Sequence, residues 1–296
     1  GNATAVPGLI RSNFTNSDTY KKFTPRVSVS YEVTSDINTY VSYSQGFKSG
    51  GFDMRADAIL TPSAVNGYQP EKVDSYEGGL KGYFFDRRLS LNTAVFYSKY
   101  KDQQITQQTP VGASIASQVL NVGKSHIYGA ELEGVASFTS NLSANFSLGY
   151  TKAEFDQYNA LDLTVSPPVV RDFSAVRVFQ NTPKWNGSMS LNWRQDLGDN
   201  GSITVIPAAS YRSSFNMFEI PSILDQSGYW LVDASIVWKS QDEKYTVGLH
   251  GRNLAKEEYR IGGYNFPQSA GVLFGNSVTA YYGPPRTVTL SVEAKF

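Results

Sequence analysis

Residues 183–197 read PKWNGSMSLNWRQDL, and in them Trp185, Gly187, Met189, Leu191 and Trp193 alternate with Lys184, Asn186, Ser188, Ser190, Asn192 and Arg194 without an exception. A repeat of two sends successive side chains to opposite faces of an extended strand, so one face here is apolar and the other polar. The two tryptophans close the apolar face eight residues apart. Along a strand tilted by about 40°, eight residues rise about 20 Å, comparable to the ~25 Å apolar band between the aromatic girdles of a membrane-spanning barrel.

Working outward, the same pattern recurs in GYWLVDASIVWKS. There Trp230, Val232, Ala234, Ile236 and Trp238 oppose Asp233, Ser235 and Lys239, and only Leu231 and Val237 break the rule. The last ten residues, TVTLSVEAKF, put Val288, Leu290, Val292, Ala294 and Phe296 opposite Thr287, Thr289, Ser291, Glu293 and Lys295. Applied to the whole chain, the period predicts about eleven strands, near 24–33, 37–47, 72–85, 88–105, 117–138, 142–155, 183–196, 202–213, 228–239, 244–254 and 286–296. Most have ten or more residues, against about five or six for an ordinary strand. A large sandwich core would also alternate, but long strands with aromatics at matched depth fit lipid better. The connections alternate as well. Short polar turns at TSDIN, FDRR, FTSNL, GDNGS and SQDEK take turns with long segments at 48–70, 106–116, 156–182, 214–227 and 255–285, which places short turns on one rim and long loops on the other.

Composition narrows the classes. Hydrophobic residues make up 41% of the 296, and no apolar run approaches the ~20 residues of a membrane helix, so any membrane segment is a strand. The formal charge is +0 with scattered basic residues, which argues against a nucleic-acid partner. With Cys 0 the chain has no disulfide, thiolate nucleophile or cysteine metal site. Gly1–Ile10 lack a basic segment followed by an apolar one, and the start without Met reads either as a chain from which a leader was removed or as the later part of a longer chain.

Several stretches resemble the C-terminal part of TonB-dependent outer-membrane receptors, in particular the ferric-siderophore-receptor-like members. They are FTPRVSVSYEVTSDINTYVSYSQGFKSGGF, QPEKVDSYEGGLKGYFFDRRLSLNTAVFYSKYKDQQ, NVGKSHIYGAELEGVASFTSNLSANFSLGYTKAEF, GRNLAKEEYR and PPRTVTLSVEAKF, spread over nearly the whole chain. The resemblance implies an all-β transmembrane antiparallel barrel of about 22 strands filled by a plug domain, of which residues 1–296 would be the second half. It implies a bacterial outer-membrane location and energised import of a scarce ligand, first of all a ferric siderophore. It further implies four kinds of partner: the N-terminal half of the same receptor with its plug, the TonB complex acting through that half, the barrel-assembly machinery, and lipid with lipopolysaccharide. Import of cobalamin, haem or an oligosaccharide, and a passive or adhesive barrel, are the alternatives to iron import. A secreted β-rich binding or hydrolytic protein is a further one.

Catalysis finds little support. His126 and His250 are the only histidines, and His250 falls on the polar face beside Arg252, where a hydrogen-bonding role is expected. Glu131 and Glu133 share a polar face and suit a watery lumen better than an acid–base pair. No catalytic residue, metal ligand or cofactor is therefore expected. Recognition should lie in the long loops, where Phe47, Lys48, Phe52, Arg55, Phe215, Phe218, Tyr264, Phe266, Tyr281 and Tyr282 supply the rings and cations that suit a large, partly aromatic, often anionic ligand.

The ending resembles the signal by which barrel-assembly machinery recognises its clients, carried by Val288, Leu290, Val292 and Phe296, although Ala294 stands where an aromatic is frequent. Deleting Phe296 from the full-length protein should lower the outer-membrane yield and leave periplasmic material; a normal yield of heat-modifiable barrel would contradict this role.

Overall fold

The computed structural model describes residues 14–54, 56–57, 62–111, 114–162, 165–167, 169–266 and 277–295, so Arg55 and Phe296 lie outside it, and of Phe266 only the backbone is described. Its strands are β1 (Arg26–Thr34), β2 (Ile37–Lys48), β3 (Glu71–Phe84), β4 (Leu89–Lys101), β5 (Gln104–Val111), β6 (Ser114–Asn121), β7 (Gly123–Thr139), β8 (Leu142–Asp162), β9 (Val169–Asp172), β10 (Trp185–Asp196), β11 (Ser202–Arg212), β12 (Tyr229–Lys239), β13 (Tyr245–Arg252), β14 (Arg260–Phe266), β15 (Ser277–Tyr282) and β16 (Thr287–Ala294). Eleven of them form one sheet in the order β1-β2-β3-β4-β7-β8-β10-β11-β12-β13-β16, and β9 pairs with the far end of β8. The two remaining pairs, β5–β6 and β14–β15, are separate hairpins.

All eleven strands expected from the alternation are present, each antiparallel to its neighbours. Connections of two to five residues, at 35–36, 85–88, 140–141, 197–201 and 240–244, lie on one rim and the long segments on the other. Two of the short turns are tied together, because Arg87 donates from Nε to Asp36 Oδ1 at 2.9 Å.

The strand limits differ from expectation where the chain leaves the main sheet. Strands expected to run through 88–105 and 117–138 stop and start at Lys101 and Gly123, and the intervening residues form the β5–β6 hairpin. Both breaks sit at left-handed backbone: Asp102 has φ 56° and Gly123 φ 142°. Glycine is required at the second, since a Cβ on Gly123 would collide with the Gln157 carbonyl. At the same level β8 carries a bulge opposite Lys124 and Ser125, and it continues to Asp162 instead of ending near 155.

Register sorts the two faces. The outward face carries Val29, Val41, Val95, Met189, Ile236, Leu249 and Leu290, all solvent-exposed on the isolated sheet. Such a continuous apolar surface suits hydrocarbon and not water. Near the long-loop rim Tyr43, Tyr76, Tyr97 and Tyr128 stand in one row across four strands. Tyr150 with Trp185, and Tyr211 with Trp230, continue the belt at ring separations of 4.7 and 4.8 Å. Trp193, opposite Leu142, and Trp238, opposite Val247, stand at the short-turn end. The tryptophan pairs thus mark two girdles, as their spacing implied.

The inward face is polar. Tyr40 donates to Glu77 at 2.6 Å, the Ser147 and Ser188 hydroxyls are 2.8 Å apart, and His250 bridges Ser235 at 3.0 Å and Ser291 at 3.1 Å. His250 is thereby an inward hydrogen-bonding residue, as expected. Ser90 of β4 and Asp233 of β12, five strands apart in the sheet order, line one concavity of about 510 Å³, so this face is curved. β1 and β16 each pair on one side only and are exposed throughout, which leaves two open edges. An open edge in hydrocarbon costs several kcal/mol for each unpaired backbone group, so both edges must be paired in a membrane.

Leu191 lies on the outward face between Met189 and Trp193, and Ser190 on the inward face. Leu191→Arg should cost about 2–4 kcal/mol in chemical unfolding of the full-length protein in lipid, and Ser190→Arg much less. Equal costs would mean that the faces are assigned the wrong way round.

Candidate functional site

The long segments interlock into a continuous collar above the upper girdle. At its first end Gln69 receives the Nδ2 hydrogen bond of Asn121 at 2.8 Å, and the Gln104 amide donates to the carbonyls of Ser49 and Gln69. Val122, Tyr158 and Ala160 form a buried apolar cluster there, against which Ile105, Leu120, Phe155 and Phe173 pack. Buried Tyr158 donates its hydroxyl to Glu219 at 2.6 Å, while the Arg177 guanidinium lies 5.0 Å from its ring centre. That joins the β8 extension to the segment 214–227.

A second cluster, Phe215, Met217, Leu224 and Tyr229, forms the inside of this segment, with Tyr259 and Ala280 packed on it. Asp225 organises the loop by accepting from the amides of Met217 and Ser222 and from the Asn216 side chain at 2.7–3.0 Å. Arg260 fastens the β14–β15 hairpin to the same loop through the carbonyls of Ile223 and Asp225 at 3.1 and 2.9 Å. Two titrations on the collar follow its packing. Burial first, then the neighbouring Tyr229 and Asp233, push the Tyr259 phenol up. The backbone N–H groups of Tyr158 and Ser174, each 2.9 Å away, hold the Asp172 carboxyl below its usual range.

Against this frame the ten residues expected to bind ligand separate into groups. Tyr264 and Tyr281 come together on the β14–β15 hairpin with their rings edge to face at 6.0 Å, and Tyr282 follows on the same hairpin, each of the three about half exposed. Lys48 ends β2 on the inward side opposite Glu71, and Phe52 is a half-buried loop residue. Phe215 is 5% exposed, with the Arg212 guanidinium 4.4 Å from its ring centre, and Phe218 packs on the same cluster; both are placed inside the loop. Phe47 stands on the outward face, in register with Lys72. Phe266 belongs to the same hairpin by its backbone, while Arg55 lies outside the described residues.

Sequence reasoning missed the residues that hold the collar: Tyr158, Arg177, Glu219, Asp225 and Arg260. Each is tied by a contact of long sequence separation, so no local pattern announces it. Chemically the collar offers exposed tyrosine rings on a fixed hairpin above a polar, concave wall, an arrangement able to hold a large ligand by stacking and hydrogen bonds without changing it.

Residues 2–254 match the family described as TonB dependent receptor-like, beta-barrel. The chain belongs to that family. It is 26% identical over 276 residues to the pesticin receptor of Yersinia enterocolitica and 23% identical over 304 residues to the metal-pseudopaline receptor CntO of Pseudomonas aeruginosa. These matches cover 92% and 100% of this chain but 36% of each relative, so the chain spans about a third of the length of the curated relatives it matches. The ferric yersiniabactin uptake receptor FyuA of Yersinia pestis shares its fold, with a TM-score of 0.66 at 21% identity over 92% of this chain and 37% of that one. Members of the TonB-dependent receptor family are outer-membrane proteins. The apolar face therefore meets the lipid of that membrane, and the short-turn rim is periplasmic.

Proposed function

We propose that this chain is the second half of the barrel of a TonB-dependent receptor that imports a metal chelate, first of all a ferric siderophore, captured by the collar and passed into the lumen. The observation that carries the reading is the set Tyr264, Tyr281 and Tyr282 presented on one hairpin fixed by Arg260 over a polar inner wall. Rings held on a rigid support suit catecholate or heterocyclic chelates, which can stack on them. The matched relatives bear the names of a pesticin receptor and a metal-pseudopaline receptor, and the structural neighbour that of a ferric yersiniabactin uptake receptor, which favours a chelate over a sugar.

Completion of the barrel belongs to the same proposal. The open edges of β1 and β16 call for pairing strands, which the first half of the same receptor would supply together with its plug. Coupling to the TonB complex would run through that half. The reading is of a transporter: the described part of the collar presents rings and hydrogen-bonding groups over a polar wall, which suits capture of a ligand.

The test is uptake of labelled ferric siderophores by the source bacterium under iron limitation, comparing wild type with a strain lacking this receptor. Uptake of one chelate should fall by at least tenfold and return on complementation. In the purified full-length receptor, Tyr264→Ala with Tyr281→Ala should weaken that chelate by about 1–3 kcal/mol, since each aromatic contact is worth about 0.5–1.5 kcal/mol. Normal uptake of every chelate, with expression indifferent to iron, would refute the iron reading in favour of cobalamin, haem or an oligosaccharide. Uptake that persists without TonB would refute energised import.

A further inference from the structure

Above the upper girdle the sheet opens between β8 and β10. The two strands pair only as far as Tyr150 opposite Trp185, beyond which the Thr151 N–H still donates to the Lys184 carbonyl at 2.9 Å. Pairing on that side of β8 resumes at Tyr158, whose carbonyl accepts from the Phe173 N–H at 2.8 Å, and at Asn159 opposite Asp172 of β9. Between these points the chain that could cover the edge is drawn away. Val178 donates to the Glu219 carbonyl at 2.9 Å and Asn181 to that of Asn216 at 2.8 Å, so segment 173–184 joins the loop 214–227 instead. Alternate residues of a strand turn their N–H and C=O groups to the same side. Since Thr151 turns toward β10, Ala153 and Phe155 do as well, up to the bulge opposite Lys124 and Ser125. Among the described residues their backbone groups have no hydrogen-bond partner on that side. An open edge of this kind is a template for another strand.

The open edge and segment 173–184 enclose a cavity of about 570 Å³, to which Thr151, Ala153 and Phe155 contribute from the strand and Val178, Phe179 and Lys184 from the facing segment. That is the size of a small-ligand site, ~300–1,000 Å³. The Phe155 and Phe179 rings stack at 4.3 Å and make its inward wall apolar, while Lys152 and Glu154 line it from the outward side. Charge does not choose an occupant. The lining cations Lys152, Arg177 and Lys184 are met by Glu154, 2.9 Å from Lys152, by Asp156, 2.8 Å from His126, and by Asp172 and Glu219, which both accept from Tyr158. The backbone does choose: Ala153 and Phe155 present donors and acceptors at the spacing of a ladder. β9 closes the gap at one end and β10 at the other, about 20 Å apart along the strand, so a short extended segment fits and a long strand running on beside β8 does not.

We propose that this gap binds a linear peptide backbone of about three or four residues, which adds to β8 as a short strand through Ala153 and Phe155. Main-chain hydrogen bonds to these two residues hold the peptide, and its side chains fall alternately on the Phe155–Phe179 pair and beside Lys152 and Glu154. Such a backbone is offered by a free oligopeptide and by the peptide arm of a chelate. The site rests on the reading of the collar as the capture surface, and not on iron as the cargo.

The experiment titrates the full-length receptor in detergent with a blocked tetrapeptide of alternating phenylalanine and serine, and with the same peptide methylated on every amide nitrogen. Wild type should bind the plain peptide at least tenfold more tightly than the methylated one, which has lost its donors. Ala153→Pro removes the N–H that faces the gap and leaves the ladder to β7 in place, so it should weaken the plain peptide at least tenfold and the methylated peptide not at all. Amide hydrogen exchange at Ala153 and Phe155 of wild type should slow when the plain peptide is added. Heat-modifiable mobility checks that the variant is folded; if it is not, the methylated peptide and the exchange rates of wild type decide alone. Equal binding of the two peptides, unchanged exchange, or full affinity in folded Ala153→Pro would overturn the proposal. A ferric hydroxamate chelate carrying the same tetrapeptide separates the two sources. Binding tighter than that of both the free peptide and the bare chelate assigns the arm of a chelate, and binding no tighter than that of the free peptide assigns an oligopeptide. None of these titrations involves uptake, so the siderophore reading can fail while peptide binding holds, and the reverse.

Discussion

Hydrocarbon offers no partner to a backbone N–H or C=O, so a chain that crosses a membrane as strands must satisfy each of them across a ladder. That constraint accounts for most of this molecule. It requires long strands in antiparallel register, and nine of the eleven strands of the main sheet, β2 through β13 in the sheet order, meet it on both sides. It also forces the period of two, because a strand with lipid on one side and water on the other must sort its side chains by parity. The periphery escapes it. Short turns and long loops leave the ladder where water is available again, and there the chain adopts left-handed residues such as Asp86 and Asp102.

Because register fixes both depth and face, it also fixes function. Going outward from the membrane centre along β2, β3, β4 and β7, the four strands present small or aliphatic residues, then tyrosines, then mixed polar groups, then Phe47 on β2 and lysines on the other three. Each layer matches the medium at its depth, from acyl chain through interface to charged headgroup. Above them the loops no longer answer to the membrane and instead pack on one another. Two buried clusters, around Tyr158 and around Phe215, give the collar an interior of its own. A surface packed this way is held in one arrangement, and a pre-organised surface loses less entropy on any binding.

How much of this was legible in the sequence follows from the same physics. The strand faces of Trp185–Asp196 and of Tyr229–Lys239 were readable because lipid and water impose opposite choices on neighbouring residues. The β5–β6 and β14–β15 hairpins lie beyond the lipid, where neither face has to be apolar, and so their strands left no clear alternation. The collar was harder still. An aromatic in a loop serves equally well at the surface, like the exposed Tyr281, or as loop interior, like the buried Phe215, and composition alone does not separate the two. Phe47 is a different case: counting by twos from Val41 places it on the outward face, so its position was present in the sequence and needed only parity to be seen.

The central claim is that one face of this sheet meets lipid and the other a watery lumen. These 296 residues contain no cysteine, so single cysteines can be placed among them once any in the remainder of the receptor are replaced. Spin labels at each position of 185–194 and 229–239, in the full-length receptor reconstituted into bilayers, report collision with oxygen dissolved in lipid and with a water-soluble nickel chelate. Oxygen access should peak at odd positions along β10 and at even positions along β12, with nickel access in the opposite phase, since Trp185 and Trp230 both face outward. Loss of the alternation, or nickel access at Met189 and Ile236, would contradict the account.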